Sequence, residues 1–140
     1  MTVMTVLGFD VGNKRIGVAV GQTLTKTANP VTILKAQNLK PDWQRVRELI
    51  SEWRPKAIVM GMPDHADDTE NPVATAVIKM ARRLEQDFRV PIYFIDERLS
   101  SVEAKNHLNK NGQQSIKASH KPVDDIAAQI ILQSWLDEQT

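Results

Sequence analysis

The sequence predicts an α/β fold: a mixed sheet of five strands, an antiparallel meander followed by parallel βαβ units, flanked by helices. Three observations predict it. Three strand-like runs follow one another before any helical pattern begins. Helical spacing then alternates with short apolar runs of strand length. The chain closes on a long helix with an apolar stripe.

The first strand is Val3 to Asp10 and the second Ile16 to Gly21, joined by a turn at Gly12 to Arg15. "PVTILKA", Pro30 to Ala36, is the third. Strands this close in sequence pair most simply as an antiparallel meander. "PDWQRVRELISEW" opens at Pro41 and carries Trp43, Val46, Leu49, Ile50 and Trp53 at helical spacing. "AIVMGMP", Ala57 to Pro63, has the length of a strand, and polar "DHADDTEN" follows as a loop. Asn71 is an N-cap with Pro72 at the first helical position, ahead of a stripe of Val73, Val77, Ala81, Leu84 and Phe88.

"PIYFIDE" is apolar on both faces, which predicts a central strand covered by helices. Ser100 and Glu103 form a capping box for a helix ending near Gly112. "GQQSIKASHK" is a basic loop, and "PVDDIAAQIILQSWLDEQ" is the final helix. Its wheel gives an apolar stripe of Val123, Ile126, Ala127, Ile130, Ile131 and Trp135, with Asp124 inside it and Asp125 nearly opposite.

The 140 residues suit one domain, 1–140, and 41% hydrophobic with 25% charged residues is a globular composition. No apolar run reaches the roughly 20 residues of a membrane helix, so no membrane association is expected. "MTVMTVLGFD" lacks a basic n-region and a cleavage-like site, so no secretory signal is expected. The absence of cysteine excludes disulfides and thiolate zinc sites and suits a cytoplasmic location. A net charge of +1 gives no global field for a polyanion, so any nucleic-acid surface must be a local patch.

Ligands of open α/β sheets bind beyond the carboxyl ends of the strands. Asp10 closes the first strand, and Asp96-Glu97 closes "PIYFI". Each could simply begin a turn, where Asp is common. Asp124 adds an acid on the buried side of a helix, where an uncompensated charge is expensive. Proximity to the helix N-terminus accounts for Asp125 and only in part for Asp124. Three carboxylates meeting at one sheet end would repel one another, and a divalent cation resolves the repulsion. Hard oxygen ligands suit Mg²⁺ or Mn²⁺, and a two-metal site can clamp both oxygens of a phosphodiester displacement. Lys14 and Arg15, in the turn after Asp10, can then neutralise phosphate. Between Arg98 and Lys121 there are five Lys or Arg and one acid, Glu103. That basic stretch, bordering Glu97 and Asp124, makes Arg98 and Lys121 further phosphate candidates, though a solvated surface has the same composition.

"GFDVGNKRIGVAV", "GMP…TENP", "DERLSSVEA" and "KPVDDIAAQIILQSWL", in this order over essentially the whole chain, resemble the YqgF family, also called RuvX or Holliday-junction-resolvase-like proteins. The resemblance implies an RNase H-like fold and a nuclease that processes the 5′ end of precursor 16S rRNA. A Holliday-junction DNA resolvase is the alternative it implies. It carries the family's acids onto Asp10, Glu97 and Asp124 as catalytic and metal-binding residues. Asn13 stands where threonine is usual, Asp68 where glycine is frequent, and Asp125 where serine is common.

Asp-x-Gly before a hairpin also marks the phosphate loop of actin-like and sugar-kinase ATPases, but those close two domains on ATP. Gly8, Gly12, Gly17 and Gly21 do not form G-x-G-x-x-G, and the first turn leads into a strand. A non-catalytic RNA-binding or ribosome-assembly module is the alternative of another class, and metal-dependent cleavage separates it from a nuclease. His65, His107 and His120 lack metal-ligand spacing; His120 could touch phosphate, and Thr69 and Glu70 follow the fourth strand toward the same end. Aromatics are 5% of the chain, too few for an extended base-stacking platform. A monomer and a homodimer are both compatible with the sequence.

Overall fold

The computed structural model describes residues 4–63, 71–96 and 123–139, with the side chains of the last segment from Ile126 onward. β1 (Thr5–Val11) and β2 (Arg15–Gln22) pair antiparallel across a turn in which the Gly12 N–H donates to the Arg15 carbonyl at 2.9 Å. β2 continues antiparallel into β3 (Thr27–Gln37), completing the meander expected from the sequence. Pro30 lies inside β3, where the register shifts between Val18 and Ala19. Proline has no ladder donor, and a bulge is where a strand tolerates it.

Among the described residues the sheet has six strands, not five. The extra one is β4 (Lys40–Pro41), reached through Asn38 and Leu39 at φ 52° and 67°. Two successive positive φ values make the two-residue hairpin turn that matches strand twist, and Gln37 pairs with Lys40 across it. Pro41 therefore ends a strand, and helix α1 (Trp43–Trp53) begins after it. Its N-cap is Asp42, whose side chain accepts from the Gln44 N–H at 3.0 Å.

β5 (Ala57–Met62) runs parallel to β1. Helix α2 (Pro72–Phe88) starts as predicted, with Asn71 Oδ1 accepting from the N–H groups of Val73 and Ala74. β6 (Ile92–Asp96) runs parallel to β5, and helix α3 (Val123–Glu138) completes the order. The strands lie β4-β3-β2-β1-β5-β6. Among the described residues β6 is thus an edge strand, not the central one its apolar run predicted. Tyr93 and Phe94 remain 43% and 47% exposed. The run is apolar on both faces because both meet helices: Tyr93 stacks on Trp135 of α3 at 5.2 Å, and Phe94 lies beside Ile78 and Ala81 of α2. The helix expected after Ser100 and the loops at 64–70 and 112–121 lie outside the described residues.

Strand alternation divides the core between two faces. Leu7, Phe9 and Val11 of β1 pack under α1 and α2 with Val46, Leu49, Ile50, Val77 and Leu84. Val6 of β1 and Val59 of β5 pack under α3 with Ala128, Ile131, Leu132, Trp135 and Leu136. The stripe of α3 is therefore rotated from the predicted one. Ala128, Leu132 and Leu136 are fully buried, while Ile126, Ala127 and Ile130 are half-buried. The rotation has two causes. Gln129 and Gln133 turn toward β3: Gln129 Nε2 donates to the Ala28 carbonyl at 3.0 Å, and the Ala28 N–H donates to Gln133 Oε1 at 3.0 Å. Gly8 lets the helix sit close, since a Cβ there would lie 2.8 Å from Leu132 Cβ.

Candidate functional site

Asp10 is one of two polar residues buried among the described ones, 8% exposed near the carboxyl end of β1. Alternation puts it on the α3 face, two residues beyond Gly8. Its neighbours across the sheet are small. Gly17 pairs with it on β2, and Gly61 follows the last recorded β1–β5 pair, Phe9 with Met60. Ile131 covers Gly61 so closely that a Cβ there would lie 2.6 Å from Ile131 Cδ1. A carboxylate is thus held, nearly buried, on the helix-covered face of the sheet.

Helix α3 runs antiparallel to β1, because Gly8 lies under Ala128 and Leu132 while Gly21, nearer the other sheet end, lies under Leu136. The start of α3 therefore lies at the Asp10 end of β1. Position 124 is one turn before Ala128, a rise of about 6 Å. From Gly8 to Asp10 the strand advances about 6.6 Å in the same direction. Helix start and strand end keep pace.

The predicted phosphate residues Lys14 and Arg15 are exposed in and beside the β1–β2 turn. Arg15 pairs with Lys35 of β3, and both belong to the face of Asp10, since their neighbours Ile16 and Leu34 pack on the other. Two exposed cations directly opposed across a ladder repel one another and together attract an anion. Lys35 has no sequence signal of its own, because its partner is set by a register that includes a bulge. The turn itself is braced: the Ala36 N–H donates to the Lys14 carbonyl at 2.8 Å and the Leu39 N–H to the Asn13 carbonyl at 3.1 Å.

The remaining predicted residues are not brought together by the described part of the structure. Glu97, Arg98 and Lys121 lie outside it, as do His65, Thr69, Glu70, His107 and His120. Asp124 is described as a helical position only. Asp96 pairs with Met62, which packs with the α1–α2 core, so it occupies the face opposite Asp10. Among the described residues, no three His, Cys, Asp or Glu side chains cluster as metal ligands. No helix of the described residues is long and apolar enough to cross a membrane.

Comparison with known proteins agrees with this geometry. A family model described as "RuvX: Holliday junction resolvase" matches residues 4–138. A protein of Pseudomonas fluorescens (strain SBW25) named "Putative pre-16S rRNA nuclease" is 46% identical over 140 residues, spanning 100% of this chain and 97% of its own. A protein of the same name from Hydrogenovibrio crunogenus is 45% identical over 132 residues, covering 94% of this chain and 92% of its own. Among solved structures, T. thermophilus RuvC in complex with Holliday junction substrate superposes with a TM-score of 0.63 at 19% identity, covering 95% of this chain and 93% of that one. The fowlpox virus Holliday junction resolvase gives 0.58 at 15% identity, covering 96% and 99%. At such identities the likeness is one of fold, and it is the RNase H-like fold expected from the sequence.

Proposed function

The chain belongs to the RuvX family, and from that premise we propose that it is a metal-dependent nuclease, one domain over 1–140, acting in the cytoplasm on the 5′ end of precursor 16S rRNA. The observation that carries this reading is Asp10, buried at the end of β1 where α3 begins. A nuclease needs a carboxylate at that point, and the neighbouring strands carry glycine beside it, Gly17 on β2 and Gly61 on β5.

The other two acids of the reading, Glu97 and Asp124, come from the family resemblance. Tyr93 and Ile95 pack on the α3 side, Tyr93 against Trp135. That alternation leaves Asp96 on the other face. On α3, position 124 is seven residues before Ile131, which lies over β5 at Gly61. Position 125 is seven before Leu132 and eleven before Leu136, which lies over β2 at Gly21.

The donor set is all carboxylate oxygen, which fits Mg²⁺ or Mn²⁺. Asp10, Glu97 and Asp124 would hold the metal, which when bound supplies Lewis-acid stabilisation of phosphodiester charge and activation of water. Arg15 and Lys35 neutralise phosphate on the same face, with Lys14 beside them and Arg98 and Lys121 as further contacts.

The test sets end-labelled precursor 16S rRNA and a four-way DNA junction side by side, with Mg²⁺, with Mn²⁺ and with EDTA. Metal-dependent cleavage of the RNA near its 5′ end is expected. Cleavage of the junction alone reassigns the chain to DNA resolution, in line with the family's description. Binding of RNA without cleavage in any metal reassigns it to a non-catalytic module.

A further inference from the structure

On the side of the sheet away from Asp10, a groove of about 660 Å³ runs between the β3–β4 turn and helix α2. Leu39, Lys40 and Trp43 form one wall and Thr75, Lys79 and Arg83 the other. The Arg83 guanidinium lies 4.2 Å from the centre of the Trp43 ring, so the wall residues meet across the groove. Three of the lining residues are cations and none is an acid. Two acids lie close by and both have partners: Asp87 faces Arg83 Nε at 3.4 Å, and Asp42 accepts from the Gln44 N–H at its helix cap.

We propose that this groove docks a single RNA strand flanking the bond that is cut. The proposal rests on the nuclease reading above for the identity of the strand. Three features carry it. The cations stand on both walls of the groove. Lys79 and Arg83 are one helical turn apart, about 6 Å, a spacing suited to successive phosphates of an extended strand. Lys40 holds the opposite wall. Trp43 adds an aromatic surface already engaged by a guanidinium, the mixed stacking and charge contact that single strands use without sequence preference. The rim of the groove is also hydrogen-bonded to the turn of the candidate site. Asn38 and Leu39 at its rim belong to the turn that bonds to Asn13, next to Lys14 and Arg15. A strand leaving the Asp10 face over that basic turn enters the groove directly.

The experiment measures binding, not cleavage. A fluorescein-labelled single-stranded oligoribonucleotide is titrated with the full chain in EDTA over a range of salt concentrations. The doubly substituted chain Lys40→Gln/Lys79→Gln is compared with Lys56→Gln. Lys56 is an exposed residue at the amino end of β5, the other end of the sheet. All three lysines are exposed, so the substitutions leave the core untouched. The double variant is expected to bind about tenfold more weakly and to flatten the log–log salt slope by about 1.4, the loss of two single-strand phosphate contacts. Lys56→Gln is expected to keep both values. An unchanged slope in the double variant, or an equal loss in Lys56→Gln, overturns the groove. Absence of cleavage by the unsubstituted chain overturns the nuclease reading instead and leaves this binding result standing.

Discussion

Arg15 and Lys35, two cations, oppose one another across β2 and β3. Relieving that repulsion should stabilise the protein while weakening RNA binding. Lys35→Gln is expected to raise stability by about 0.2–1 kcal/mol in urea unfolding. It should also flatten the salt dependence of RNA affinity by about 0.7. Loss of stability with unchanged affinity would mean that Lys35 packs and does not contact phosphate. The acids at the start of α3 give a second residue-scale contrast. Asp124→Asn is expected to abolish cleavage, and Asp125→Asn to retain most of it, because the family resemblance carries its acid onto Asp124 and successive helical positions stand about 100° apart. A dead Asp125→Asn beside an active Asp124→Asn would move the ligand from Asp124 to Asp125. Asp10 was legible from sequence because an acid in an apolar strand has few uses. Lys35 was not, because only the register of a bulged ladder discloses its partner.

Helix α3 depends on how closely it can approach the sheet. At Gly8 a Cβ would press on Leu132 Cβ, which moves only with the helix backbone. At Gly61 it would press on Ile131 Cδ1, the end of a side chain that can rotate. Gly8→Ala is therefore expected to cost about 1–3 kcal/mol and Gly61→Ala clearly less, by thermal or chemical unfolding. Equal costs would mean that α3 shifts as a rigid body. At the other face, Asp42→Ala should cost about 1 kcal/mol through the lost cap of α1. The cap of α2 could be read directly from Asn71-Pro72. The cap of α1 was displaced in the sequence reading because Pro41 resembles a helix start, whereas here it ends β4. That strand is two residues long and follows a turn at Asn38-Leu39, and leucine at positive φ carries little turn signal.

Across the whole molecule, what is local was legible and what is non-local was not. The antiparallel meander, the three described helices and the two later parallel strands all follow from spacing and turns. The position of β6 at the sheet edge depends on which strands find it. Its apolar faces reflect α2 and α3, not neighbouring strands on both sides. The phase of α3 was likewise set from outside the helix, by glutamines reaching β3 and by glycines beneath it. These same contacts bring the start of α3 to the Asp10 end of β1, and the functional reading stands on that meeting. Its most direct test is single-turnover cleavage of labelled precursor 16S rRNA at saturating Mg²⁺ by Asp10→Asn, with urea unfolding of the same preparation. The account predicts a rate lower by roughly a thousandfold, equivalent to about 4 kcal/mol of lost transition-state stabilisation, with the fold intact. Cleavage by a folded Asp10→Asn at the unsubstituted rate would contradict it.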